Sequence, residues 1–155
     1  MKYEGKYNIF NPRSIKTYPI SSRINKVKLE DLVTPDDVLN TDYHAPSPTA
    51  EKISEVAAAI VESAKTGKPV IFFTGAHLIK NGLGPLLIDL VRRSIVTLVA
   101  GNGATAIHDF ELALIGQTSE YVPQALEEGQ FGMAYEFACQ NIAIRLGNRY
   151  NLGYG

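Results

Sequence analysis

The sequence has no tryptophan, a single cysteine and no excess of either charge. One thiol, Cys139, cannot form an internal disulfide, which excludes a disulfide-stapled scaffold and points to a reducing, cytoplasmic setting. Fifteen basic residues against sixteen acidic ones leave a formal net charge of -1, so the broad basic field that nucleic acid requires is missing. No apolar run reaches spanning length and no apolar h-region follows Met1, so neither a membrane protein nor a signal peptide is expected. Several catalytic signatures are absent as well. There is no Gly-x-Ser-x-Gly elbow. Gly75 and Lys80 lack the spacing and the Gly-Lys-Ser/Thr ending of a Walker loop, and the third glycine of the dinucleotide fingerprint is missing after Gly101 and Gly103. His44, His77, His108, Asp109 and Glu111 do not follow zinc-ligand spacing, so no metal is expected.

What is present is a globular composition, 45% hydrophobic over 155 residues, enough for one domain with a core. Two strand–glycine-turn–helix units stand in its middle. The first runs from Pro69-Val-Ile-Phe-Phe-Thr-Gly75 through Ala76, His77 and Asn81 to a helix over about 83–93. The second runs from Ser94 through Ala100 into Gly101-Asn102-Gly103 and a helix over 104–115, which Gly116 ends. In an open parallel sheet such turns lie at the carboxyl ends of strands, where ligands bind. Glycine there either serves a tight turn or lets the backbone approach a ligand and leaves helix amides for an anion.

The rest of the chain frames these units. Residues 1–47 read as an irregular arm, with a loose strand around Val27 and Leu29 and a short helix capped by Thr34 with Pro35 at its first position. Residues 48–155 read as the α/β domain. Its first helix, starting at Ser47-Pro48 with serine as cap, carries one apolar stripe of Ile53, Val56, Ala57, Ile60, Val61 and Ala64. The apolar runs Val70–Phe73 and Ile95–Ala100 predict strands covered on both faces. Thr118 or Ser119 is expected to cap a helix over 120–128, and a last helix over 133–146 is expected to stop at Gly147. The fold class is therefore α/β, a Rossmann-like parallel sheet with flanking helices. Two strands are marginal alone, so more are expected from the arm, a partner or sequence beyond Gly155, and 151–155 reads as a loop cut before the next element.

His108-Asp109 sits on the first turn of the helix after the second glycine loop. Asp109 either stabilises the helix dipole or accepts hydrogen bonds from a ribose or an amine, and a histidine beside a carboxylate is a candidate general base. Cys139, inside an apolar helix, reads as a small buried residue. The tyrosines at 121, 135, 150 and 154 read as core or interface residues.

Two stretches resemble deoxyhypusine synthase, in its uncharacterised prokaryotic branch: Thr74–Val91, and Val96–Asp109 with its His-Asp pair. Ile144-Arg-Leu-Gly-Asn148 is a shorter echo. This resemblance, over about 68–115, implies a Rossmann-type fold, NAD as cofactor, a polyamine-like substrate and a tetramer with sites between subunits. Carried over, Gly75, Ala76, His77 and Asn81 border the cofactor, Gly101, Asn102 and Gly103 approach it, Asp109 sits near both the cofactor and the amine, and His108 reaches toward the amine. Two departures stand out. His77 and Gly101-Asn102 replace the family's usual hydroxyl and amide contacts, and the lysine that forms the imine has no counterpart here. The expectation is thus an NAD-binding portion of an aminobutyl transferase, inactive alone. The alternatives are a non-catalytic α/β oligomerisation module, or hydrolytic or lyase chemistry built on His108-Asp109.

Overall fold

The structure, a computed structural model, describes residues 4–42 and 44–153, so Tyr154 lies outside the described residues. The chain divides into two compact units, Asn25–Ser119 and Met1–Ile24 together with Glu120–Gly155. The fold class is α/β, compatible with a Rossmann-like arrangement.

In the first unit, β1 (Asn25–Lys28) leads to α1 (Pro35–Leu39), α2 (Ser47–Lys65), β2 (Ile71–Phe73), α3 (Ala76–Lys80), α4 (Gly84–Arg92), β3 (Leu98–Ala100), α5 (Gly103–Ile115) and β4 (Gln117–Glu120), whose last residue, Glu120, is counted with the second unit. Thr34 caps α1 in a reciprocal box with Asp37. The Thr34 hydroxyl and then its backbone N–H donate to the Asp37 carboxylate and hold it below its usual range. Gly116 ends α5 in the left-handed region, φ 66°, as the sequence predicts. At α2 the cap is Pro46 and Ser47 is already helical.

The strands lie in two separate pairs, β2 with β3 and β1 with β4. β2 and β3 run parallel with Ile71 beside Leu98 and Phe73 beside Ala100. The arm thus supplies a strand, but to β4. Coverage on both faces is not found: Phe73 is 79% and Leu98 54% exposed. In-register partners share a face, so Ile71, Phe73 and Leu98 form one open apolar face. The stripe of α2 is likewise open at Ile53, Val56 and Val61. β3 is shorter than predicted because Ile95 and Val96 both donate to the Leu90 carbonyl and close α4. The core of this unit is Ile79, Leu87 and Val96, with Glu111, Thr118 and Ser119 as buried polar residues. The helix expected from a Thr118 or Ser119 cap starts later, and those residues form β4, where Ser119 (φ 66°) breaks the strand's alternation so that both are buried.

In the second unit, α6 (Val122–Glu127) and α7 (Ala138–Arg149) accompany buried Ile20, Ala125 and Ala134. Gly147 does not stop α7. A Cβ there would lie 3.3 Å from the Leu152 and Gly153 carbonyls, so this glycine allows the chain to fold back closely. Cys139 is exposed, contrary to expectation.

Candidate functional site

The parallel register sets both glycine turns at the same end of the β2–β3 pair. Thr74 N–H donates to the Ala100 carbonyl at 2.9 Å, so Gly75 and Gly101 leave from adjacent strand ends. α3 and α5, the helices that follow, pack on each other. This is the placement that open parallel sheets use for ligands.

The glycines there do different work. None of Gly75, Gly101 and Gly103 has a positive φ, so the tight-turn explanation does not account for them. A Cβ on Gly101 would come within 3.1 Å of the Thr105 side chain, whereas one on Gly75 or Gly103 would meet nothing within 4 Å. Gly101 gives Thr105 room, and Gly75 and Gly103 leave bare backbone on an open surface. Asn102 caps α5: its Oδ1 accepts from Thr105 N at 3.1 Å and from Thr105 Oγ1 at 3.2 Å. Its carbonyl oxygen is spent on the helix, and its Nδ2 is what it offers a ligand. Ala76 is half-buried beside this surface, and His77, Asn81 and Asp109 are exposed.

One signal was legible in the sequence and missed. Counting from Gly101, the third-glycine position of the dinucleotide fingerprint is Ala106, and alanine is tolerated there. Gly101-Asn-Gly-Ala-Thr-Ala106 follows β3 directly and opens α5, the strand–turn–helix context that the fingerprint requires.

A second polar group lies further along α5. His108 does not pair with Asp109. Adjacent helix residues point about 100° apart, whereas residues three apart share a face, and the carboxylate beside His108 is Glu111. Thr118 Oγ1 donates to Glu111 Oε2 at 2.5 Å and lies 2.7 Å from His108 Nδ1. His108 Nδ1 is 3.5 Å from the same carboxylate oxygen. Glu111 is 2% exposed and Thr118 fully buried. The i, i+3 spacing of His108 and Glu111 was readable from the sequence. Thr118 was not, since it reaches the pair only through the reversal at Gly116. Among the described residues no cluster of three or more His, Cys, Asp and Glu is arranged to hold a metal ion.

A cavity in the second unit is lined by Tyr18, Arg23, Ile24, Glu120, Tyr121 and Ala125 among others. There the Tyr18 hydroxyl and the Gly132 N–H both donate to the Glu120 carboxylate. None of the site residues expected from the sequence lines it.

No family model matches the sequence, and no solved structure matches it. Among curated proteins, the ornithine cyclodeaminase of Methanothermobacter thermautotrophicus is similar, 24% identical over 80 residues, 52% of this chain and 20% of that protein. The match thus spans about a fifth of the length of that relative. Ornithine cyclodeaminase is a different family from deoxyhypusine synthase, and this corrects the resemblance drawn from the sequence. The tetramer and the aminobutyl transfer that the resemblance implied lose their basis with it. Among the described residues, no helix is long and apolar enough to cross a membrane.

Proposed function

We propose that the Asn25–Ser119 unit binds an NAD-type dinucleotide across the β2 and β3 strand ends, as the cofactor part of a cytoplasmic enzyme acting on a small amine or amino acid. The observation that carries this reading is Gly101-Asn-Gly-Ala-Thr-Ala106 between a parallel strand and the helix it opens. In that motif the second glycine lets the backbone approach the pyrophosphate, and the third small residue allows close helix packing. Gly103 suits the first role, because nothing lies within 4 Å of the place its Cβ would occupy. Ala106 suits the second. Gly75 and Ala76 border the same strand end, with His77 and Asn81 on the surface beyond. The likeness to ornithine cyclodeaminase supports a small amino-acid substrate.

Thermal melting with increasing NAD tests the cofactor. A bound ligand stabilises by about 2.7 kcal/mol at a hundredfold excess over Kd, so the melting temperature should climb steadily with concentration. A flat curve at millimolar NAD and NADH would overturn the proposal.

A second reading, a homo-oligomeric assembly module, is favoured by the open apolar face of Ile71, Phe73 and Leu98. It predicts a solution mass that is a multiple of 16.9 kDa. Sedimentation at a single-chain mass would remove it.

A further inference from the structure

We propose that His108 is the proton-accepting residue of this unit, with Thr118 and Glu111 as its positioning residues. The ligand group it takes is an O–H or N–H donor on a small polar molecule, a hydroxyl or a protonated amine. This inference does not need a dinucleotide and survives the failure of the reading above.

Thr118 has one hydroxyl proton, and it goes to Glu111 Oε2. The Thr118 oxygen then faces His108 Nδ1 with lone pairs only, and two such atoms 2.7 Å apart need one proton between them. That proton is on Nδ1. A neutral imidazole carries only one N–H, so Nε2 bears a lone pair. The His108 side chain keeps 18% of its exposure while Nδ1 faces a fully buried hydroxyl, so the exposure belongs to the rest of the ring. A ligand donor that meets Nε2 hydrogen-bonds to it. Where its proton transfers, the ligand's X–H bond breaks, an Nε2–H bond forms, and the electron pair remains on the ligand. The resulting imidazolium has the Glu111 carboxylate 3.5 Å from Nδ1 to balance its charge. Asp109, adjacent in sequence and exposed, has no part in this chain of bonds.

The opposite proton order has Glu111 protonated and Thr118 donating to Nδ1. It would place the imidazole proton on Nε2, and the ring would then offer ligands a donor. Long-range proton–nitrogen NMR of the labelled protein at pH 8 tells the two apart. The sequence has three histidines, and His108→Gln assigns the relevant ring by its disappearance. The expected result is a protonated Nδ1 and a bare Nε2 in the unsubstituted protein. Thr118→Ser should keep that pattern, and Thr118→Val should lose it. Carbethoxylation read by peptide mass spectrometry is the second measurement: a bare, reachable Nε2 is modified alongside the exposed His77. A proton found on Nε2, or a His108 left unmodified when His77 has fully reacted, overturns the proposal without bearing on NAD binding.

Discussion

The two halves of α5 hold their polar groups in opposite ways. At its start, Gly101, Asn102 and Gly103 are exposed, and the one side chain among them that can bond is turned back onto the helix as a cap. From its middle onward, His108, Glu111 and Thr118 bond one another around a buried carboxylate. The open half can exchange its water for a ligand at little cost. The closed half has already given up its water, and its bonds fix the direction in which the imidazole works. The two proposals place recognition and chemistry on one helix and rest them on different physics: backbone left bare in one place, side chains bonded to one another in the other.

That contrast can be broken from either end. The largest effect is expected for Thr118→Val, which keeps the volume but removes a donor from buried Glu111. Losing a partner in the interior costs about 1–3 kcal/mol, and more when the group is charged, so a fall of that size in urea denaturation is expected. An unchanged midpoint would mean that the Glu111 contact is not closed off from water. Next is Gly116→Ala. A left-handed residue acquires a Cβ that would lie 3.1 Å from Leu29 Cδ1, and the backbone conformation alone costs about 1–2 kcal/mol. Asn102→Ala removes the α5 cap and should cost about 1 kcal/mol by the same denaturation. The smallest change is Gly103→Ala, and its sign is reversed. The new Cβ meets nothing within 4 Å, and a helical alanine is favoured over glycine by roughly 0.5–1 kcal/mol. This variant should be as stable as the parent or slightly more so, yet lose the NAD-dependent rise in melting temperature. Retention of the full rise would remove the reason for a glycine there.

Much of α5 and its surroundings was readable from residue types. Asn102 and Gly116 bound the helix where chain chemistry puts them, Thr34-Pro35 opens α1, and the apolar runs at 70–73 and 95–100 mark the parallel pair. The failures share a cause. Gln117-Thr-Ser-Glu120 has no apolar residue, so hydrophobic periodicity cannot mark it as a strand. Its burial comes from hydrogen bonds to a helix and from a left-handed Ser119. His108-Asp109 drew attention by adjacency, although on a helix the neighbour three positions on is the one that touches. The third fingerprint position is Ala106, where the motif needs only a small side chain. Gly147 reads as a terminator in sequence, but its role is set by the returning carbonyls of Leu152 and Gly153, a contact no local pattern encodes.

The left-handed Gly116 has a kinetic consequence. Imidazole and hydroxyl are separated by only ten positions along the chain, and most of that interval is a single helix with one reversal after it. Ordering so short a stretch demands little loop closure, and segments with low contact order assemble early. The acceptor should therefore acquire its orientation before the slower, more distant pairing of β1 with β4 is complete.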